Sequence, residues 1–181
     1  MSNECNGLTY KPEVWRSYDV CTSTNCYIYA INLPKNPHST TGKYWSWEHV
    51  QPGKLGGVKN ISQTFISPFD KEKFINAVKL DLAAIDMEIV ESTYEEVRKG
   101  RWWKVALVFD NSPMGFGDYH WYRQNEDGTW SHKMGSGDVK NVDSSDQPIT
   151  NPETCNRGRY TTFVGFYMIR KKNKRKNDKV A

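Results

Sequence analysis

Three residues carry the types and spacing of thiol chemistry. Cys26 stands in Thr24-Asn25-Cys26-Tyr27-Ile28-Tyr29-Ala30. About ninety residues on, His120 and His132 stand twelve apart in DYHWYRQNEDGTWSHKMG, residues 118–135. A thiolate is a strong nucleophile, and a helix N-terminus lowers the pKa of a cysteine placed there. A histidine takes the thiol proton, and a further polar group holds that imidazole in one orientation. Here Cys26 is the nucleophile, His120 the base and His132 the orienting group of an acyl-transfer reaction. The amide of Cys26 with a donor from Asn25 or Tyr18 would form the oxyanion hole. Asn141, Asp143, Asp146, Asp110 and Asp118 are alternatives for the orienting group. Cys21 is the rival nucleophile, without the helix-dipole argument. A buried cysteine and two strand histidines also have a plain packing role, which the sequence leaves open.

The elements that must position these residues follow from local pattern. Ser23, Thr24 and Asn25 are N-cap residues ahead of YIYAINL, a short apolar helix ended by Pro34, so Cys26 falls in its first turn. Residues 1–20 read as a lead-in with Val14, Trp15, Tyr18 and Val20 packed on the body. Residues 34–57 are a long loop whose Tyr44, Trp45 and Trp47, with Trp121, are cleft candidates. Asp70–Ile85 repeats apolar residues at helical spacing, and Thr93–Lys99 resembles a capping box followed by a short helix. Met87–Val90, Trp103–Asp110, Asp118–Gln124, Thr129–Met134 and Tyr160–Arg170 read as strands. Helices followed by an antiparallel run of strands make an α+β chain, with the sheet mostly in the second half.

The hairpin register decides whether the histidines cooperate. Asn125-Glu126-Asp127-Gly128-Thr129 fits a type I turn with Gly128 left-handed in a G1 bulge. Asn125 then faces Thr129 and Tyr122 faces His132, which leaves His120 and His132 diagonal on one face. A turn one residue longer or shorter would put them on opposite faces.

Composition narrows the class. The chain has 181 residues, 13% of them aromatic with seven Trp, and a mean hydropathy of −0.77. It reads as one folded domain, 1–169, with a polar surface, followed by a basic tail, 170–181, of disordered composition. Seven of the 25 basic residues and one of the 21 acidic ones lie in that tail, so the formal charge of +4 is a tail property. Arg170–Lys179 could attach to nucleic acid or another anionic surface. Cys5, Cys21, Cys26 and Cys155 are too few and scattered for a disulfide scaffold. Cys21 and Cys26 with His38 and His49 fit no usual zinc spacing, so no metal or cofactor is expected. No apolar leader and no membrane-length apolar run are visible, which points to synthesis in the cytoplasm and to free thiols.

The order of a helix-start cysteine, a strand histidine and a polar residue on the next strand resembles the papain-like superfamily of cysteine peptidases, and within it the NlpC/P60 branch. HWYRQNEDGTWSH is similar to the branch's histidine element in order and spacing. The resemblance spans Asn25–Asn32 and Trp103–Met134, under a third of the chain. It implies a papain-like fold and amide-bond hydrolysis on a peptide, isopeptide or cell-wall peptide by Cys26, His120 and His132. Two positions depart from the branch. Asn25-Cys26-Tyr27-Ile28 replaces its Asp-Cys-Ser-Gly, and Trp121 replaces the small residue after the histidine. Transglutaminase or deamidase chemistry uses the same triad. A catalytically inactive module of the same fold, binding or inhibiting a protein partner through its Trp and Tyr residues, is the alternative.

Overall fold

The computed structural model describes residues 5–34, 50–58, 69–111 and 117–172. A 3-10 turn, Pro12–Trp15, leads into helices α1 (Tyr18–Ser23) and α2 (Cys26–Ala30). Then come α3 (Lys71–Ala84) and six strands: β1 (Met87–Ser92), β2 (Trp102–Asp110), β3 (Asp118–Gln124), β4 (Trp130–Lys133), β5 (Val139–Lys140) and β6 (Thr162–Lys171). The strands form one sheet in the order β1-β6-β2-β3-β4-β5, with every pairing antiparallel. The architecture is α+β, as the pattern implied.

Alternation along the central strands builds two cores. Val105, Leu107 and Phe109 of β2 and Tyr119 and Trp121 of β3 meet Tyr27 and Ile28 of α2 and Phe74 and Val78 of α3. On the other face Ala106, Val108 and Tyr122 join Trp130, Phe166, Ile149 and Tyr160, so irregular chain between β5 and β6 covers that side. Being buried on both faces, β2 is apolar at nearly every position instead of alternating. Trp15 is buried in the first core, whereas Val14 and Tyr18, expected to pack there, are exposed at 43% and 75%. A turn this short has only one inward-facing position, and the Trp takes it.

The α3 boundaries match the periodicity, with Asp70 as N-cap accepting from Lys73 N at 3.0 Å. Asp81 in this helix is buried. Its carboxylate accepts from Gly53 N and Gly56 N, both at 2.7 Å, and from Tyr27 Oη at 2.8 Å. One side chain thus ties α3, α2 and the turn at 51–57 together. The helix expected over Thr93–Lys99 does not form. Its Arg98 N–H to Tyr94 O bond would be helical, but both groups are taken elsewhere. Arg98 N donates to Asn6 Oδ1 at 2.6 Å, and Tyr94 O accepts from Lys104 Nζ at 2.5 Å. β6 runs through Lys171, past the expected start of the tail. Arg170 pairs with Glu88 on β1 at 2.5 Å and lies 4.4 Å from the Trp102 ring. The rest of the tail, 173–181, lies outside the described residues, as do Tyr44, Trp45 and Trp47. Among the described residues no helix is long and apolar enough to cross a membrane.

Candidate functional site

The hairpin turn sets the site. Asn125 N donates to Thr129 O at 2.8 Å, Gly128 N donates to Asn125 O at 3.0 Å, and Gly128 has φ +86°. A left-handed residue is required there, which glycine supplies without a Cβ penalty. The register then pairs Tyr122 with His132, and His120 lies diagonal to His132 on one face. Their rings meet edge to face, with His120 Nε2 2.8 Å from His132 Nδ1.

The proton positions follow from the next bond. His132 Nε2 lies 3.0 Å from the carbonyl oxygen of Val142, which can only accept. His132 therefore carries its proton on Nε2 and presents a bare Nδ1. His120 donates its Nε2 proton to that atom, and its own Nδ1 keeps a free lone pair. A base histidine needs this tautomer. Burial holds His120 well below the usual imidazole pKa, helped by His132 and Arg159. Burial also lowers His132, with the Val142 carbonyl opposing. Both rings rest neutral. Tyr160 stacks on the other side of His120 at 5.1 Å, and its hydroxyl donates to Asp118 at 2.9 Å. Arg159 pairs with Asp118 and reaches Asp110 at 3.5 Å.

Cys26 is the first residue of α2, and Asn25 is its N-cap, accepting from Ile28 N at 3.0 Å. The thiol donates to Tyr119 O at 4.0 Å, and the Trp121 backbone beside it favours the thiolate. These two residues flank His120. Alternate residues of an antiparallel strand turn their peptide groups to the same side. Asn125, bonded to Thr129, thus places the groups of 119 and 121 on the β4 side, beyond the last β4 pair at Tyr122–His132. The sulfur occupies the strand edge that β4 has left. The His120 ring leaves the sheet at the same point, on the face away from α2, and leans toward β4. No hydrogen bond joins the Cys26 sulfur to the His120 ring. Burial pushes the Cys26 thiol up to about 12, with the Trp121 backbone opposing and Asp118 reinforcing. The resting thiol is protonated.

The structure thus joins His120 to His132 and sets Cys26 against the backbone on both sides of His120. The other expected participants go elsewhere. Asn25 spends its amide nitrogen on Val50 O at 3.1 Å and its oxygen on the cap, so it has no group aimed at an oxyanion. Tyr18 is exposed on α1. Asn141 is exposed, and Ile149 N bonds to its backbone oxygen at 3.1 Å. Asp143 accepts from Ser145, Gln147 and Asn156 amides, which hold its carboxyl below the usual range. It organises the loop that carries Val142, while the Val142 carbonyl does the orienting. Trp121 faces α2 and α3 in the core, 1% exposed, and lines no cleft. Cys21 donates to Ser136 O at 3.1 Å, away from both histidines.

Three participants escaped the sequence reading: the Tyr119 and Val142 carbonyls and Tyr160. Backbone carbonyls have no side-chain signature. Tyr160 comes from a loop with no periodicity.

No protein-family model matches the chain, and no solved structure matches it. The chain is 29% identical over 160 residues to Insoluble matrix shell protein 1 of Ruditapes philippinarum, covering 87% of this chain and 86% of that protein.

Proposed function

We propose that the chain is a papain-like cysteine hydrolase that cleaves an amide bond through Cys26, His120 and His132. The observation that carries this reading is the tautomer relay from the Val142 carbonyl through His132 to His120. It leaves His120 Nδ1 as the basic atom at the strand position whose flanking peptides hold the thiol. In the reaction His120 takes the Cys26 proton and the thiolate attacks the carbonyl carbon. His120 then returns the proton to the leaving amine, and water releases the acyl group. The Cys26 N–H at the start of α2 is the available oxyanion donor. The neutral resting pair tightens into an ion pair when substrate brings the ring and the sulfur together, since resting sites often hold longer contacts than the reacting complex. Peptide or isopeptide bonds, including those of cell-wall peptides, are the substrate class. Approach of an anionic surface to Arg170–Lys179 belongs to the same proposal as a means of location.

The test is turnover of quenched-fluorescent peptide pools and of cell-wall peptides by the whole chain, beside Cys26→Ala and His120→Ala. Loss of turnover in both variants supports the reading. Equal turnover, or full labelling of Cys26→Ala by an activity-based thiol probe, overturns it.

A second reading rests on the similarity to a shell matrix protein and on the buried, protonated thiol. It is a non-catalytic module that binds a protein or matrix partner. It requires that Cys26→Ala and His120→Ala retain partner binding while no peptide is cleaved by the wild type.

A further inference from the structure

The 2.8 Å bond to His132 fixes one atom of the His120 ring. A ring held at one atom can still pivot about that bond, so its plane needs a second constraint. Tyr160 supplies a flat face for it. The two rings lie 5.1 Å apart and 23° from parallel, and Tyr122 meets the His120 ring edge-on at 5.1 Å. Offset stacking is a favoured arrangement of ring pairs at this distance. Tyr160 belongs to the irregular chain between β5 and β6, so no strand ladder aims its side chain. Its backbone is gripped by Arg157, which donates from Nε to Tyr160 O at 2.9 Å and from Nη2 to Thr161 O at 3.1 Å. Its hydroxyl donates to Asp118 Oδ2 at 2.9 Å. Asp118 and His120 are two residues apart in β3 and so share a face. The phenol is therefore tied to the strand that carries the ring it covers. Burial raises its pKa, with Asp118 reinforcing, so it keeps the proton it donates. Asp110 stands opposite Asp118 in the register, an unfavourable pairing of like charges. Arg159 pairs with Asp118 and reaches Asp110 at 3.5 Å, which offsets the repulsion and holds the acceptor in place.

We infer that Tyr160 is a positioning residue for His120: tethered by its hydroxyl to Asp118, it fixes the plane of the imidazole that His132 holds at one atom. Its effect on turnover rests on the cysteine-hydrolase reading. Tyr160 also fills the second core beside Ala106, Val108 and Phe166, and any ring of this size would meet that packing role. The tether separates the two roles. Phe at this position keeps the ring and the packing and loses only the bond.

The experiment follows solvent exchange of the His120 Nε2 proton by NMR, with kcat and KM on cleaved peptides, in wild type, Tyr160→Phe, Asp118→Ala and Asp118→Asn. Asp118→Ala removes the acceptor and leaves the tyrosine in place, so it tests the tether even if Tyr160→Phe fails to fold. Asn keeps an acceptor oxygen without the charge. Tyr160→Phe and Asp118→Ala are expected to speed exchange about tenfold, the size of one hydrogen bond to a charged acceptor, while β3 backbone amides keep their rates. Asp118→Asn is expected to stay closer to wild type than to Asp118→Ala. In the two variants without the tether kcat is expected to fall about tenfold at unchanged KM, because the ring is misaimed while substrate binding is intact. Wild-type exchange and kcat in a folded Tyr160→Phe or Asp118→Ala, or an Asn variant as fast as Ala, overturns the inference. A wild type that cleaves no peptide while the exchange pattern holds overturns the hydrolase reading instead.

Discussion

His120 and His132 stand on neighbouring strands with Nε2 and Nδ1 2.8 Å apart, and the far nitrogen of His132 is committed to a peptide carbonyl. One backbone oxygen therefore sets the protonation of two side chains, and the lone pair that emerges is on His120 Nδ1. On the proposed hydrolase reading, His120→Ala should lower kcat/KM by about 10³-fold, as general-base removal does. His132→Ala should cost about 10–100-fold with little change in KM, because it frees the ring without removing the base. Equal losses for both variants would mean that His132 takes a proton itself.

Acid should unfold the protein through the same pair. Both imidazoles have folded pKa values below the ordinary 6.5. The unfolded chain takes up protons first, so stability is present above about pH 6.5 and is lost as pH falls below it. Each imidazole contributes a slope of about 1.4 kcal/mol per pH unit until its folded pKa is reached. Urea midpoints at pH 7.5, 6 and 5 should show this loss, and His120→Phe with His132→Phe should flatten it relative to wild type. A double variant with the wild-type slope would place the acid sensitivity elsewhere.

Cys26→Ala should remove thiol-probe labelling while costing only about 1 kcal/mol of stability. It deletes one small buried atom and leaves the Asn25 cap in place. Thermal melts and labelling on the same sample check both halves. A collapse of the fold in Cys26→Ala would assign the residue to packing.

Asp81→Ala should destabilise by about 3 kcal/mol or more. Gly53 N–H, Gly56 N–H and the Tyr27 hydroxyl each lose a buried acceptor. Chemical denaturation measures the loss, and Asp81→Asn, which keeps one oxygen, should cost less. Equal stability of Asp81→Ala and wild type would show that water replaces the carboxylate.

Gly128→Ala should cost about 1–2 kcal/mol, because φ +86° is left-handed. Its more telling readout is register. If the turn relaxes, the His120–His132 bond is lost, and the paired imidazole signals in NMR should separate.

Much of the scaffold was legible in the residues themselves. The period of α3, the aliphatic run of β2 and the Asn125–Thr129 turn each act through neighbours in sequence, where dihedral preference and burial pattern suffice. The turn even implied the diagonal of His120 and His132, since hairpin register is a local property. What tertiary structure alone decided was where long-range partners fall. The Thr93–Lys99 segment loses its helix to Asn6, from distant chain, and to Lys104 of the following strand. The orienting group on His132 is the Val142 backbone carbonyl, a partner for which the sequence offered no candidate. Lys133 meets its carbonyl partners Cys21 and Thr24 only through the packing of α1 against β4. The distance of Cys26 from His120 depends on where β4 stops and α2 begins, two elements brought together only by the packing of the sheet. Local sequence sets the direction of each side chain. The partners it meets depend on contacts separated by about a hundred residues, which no local pattern encodes.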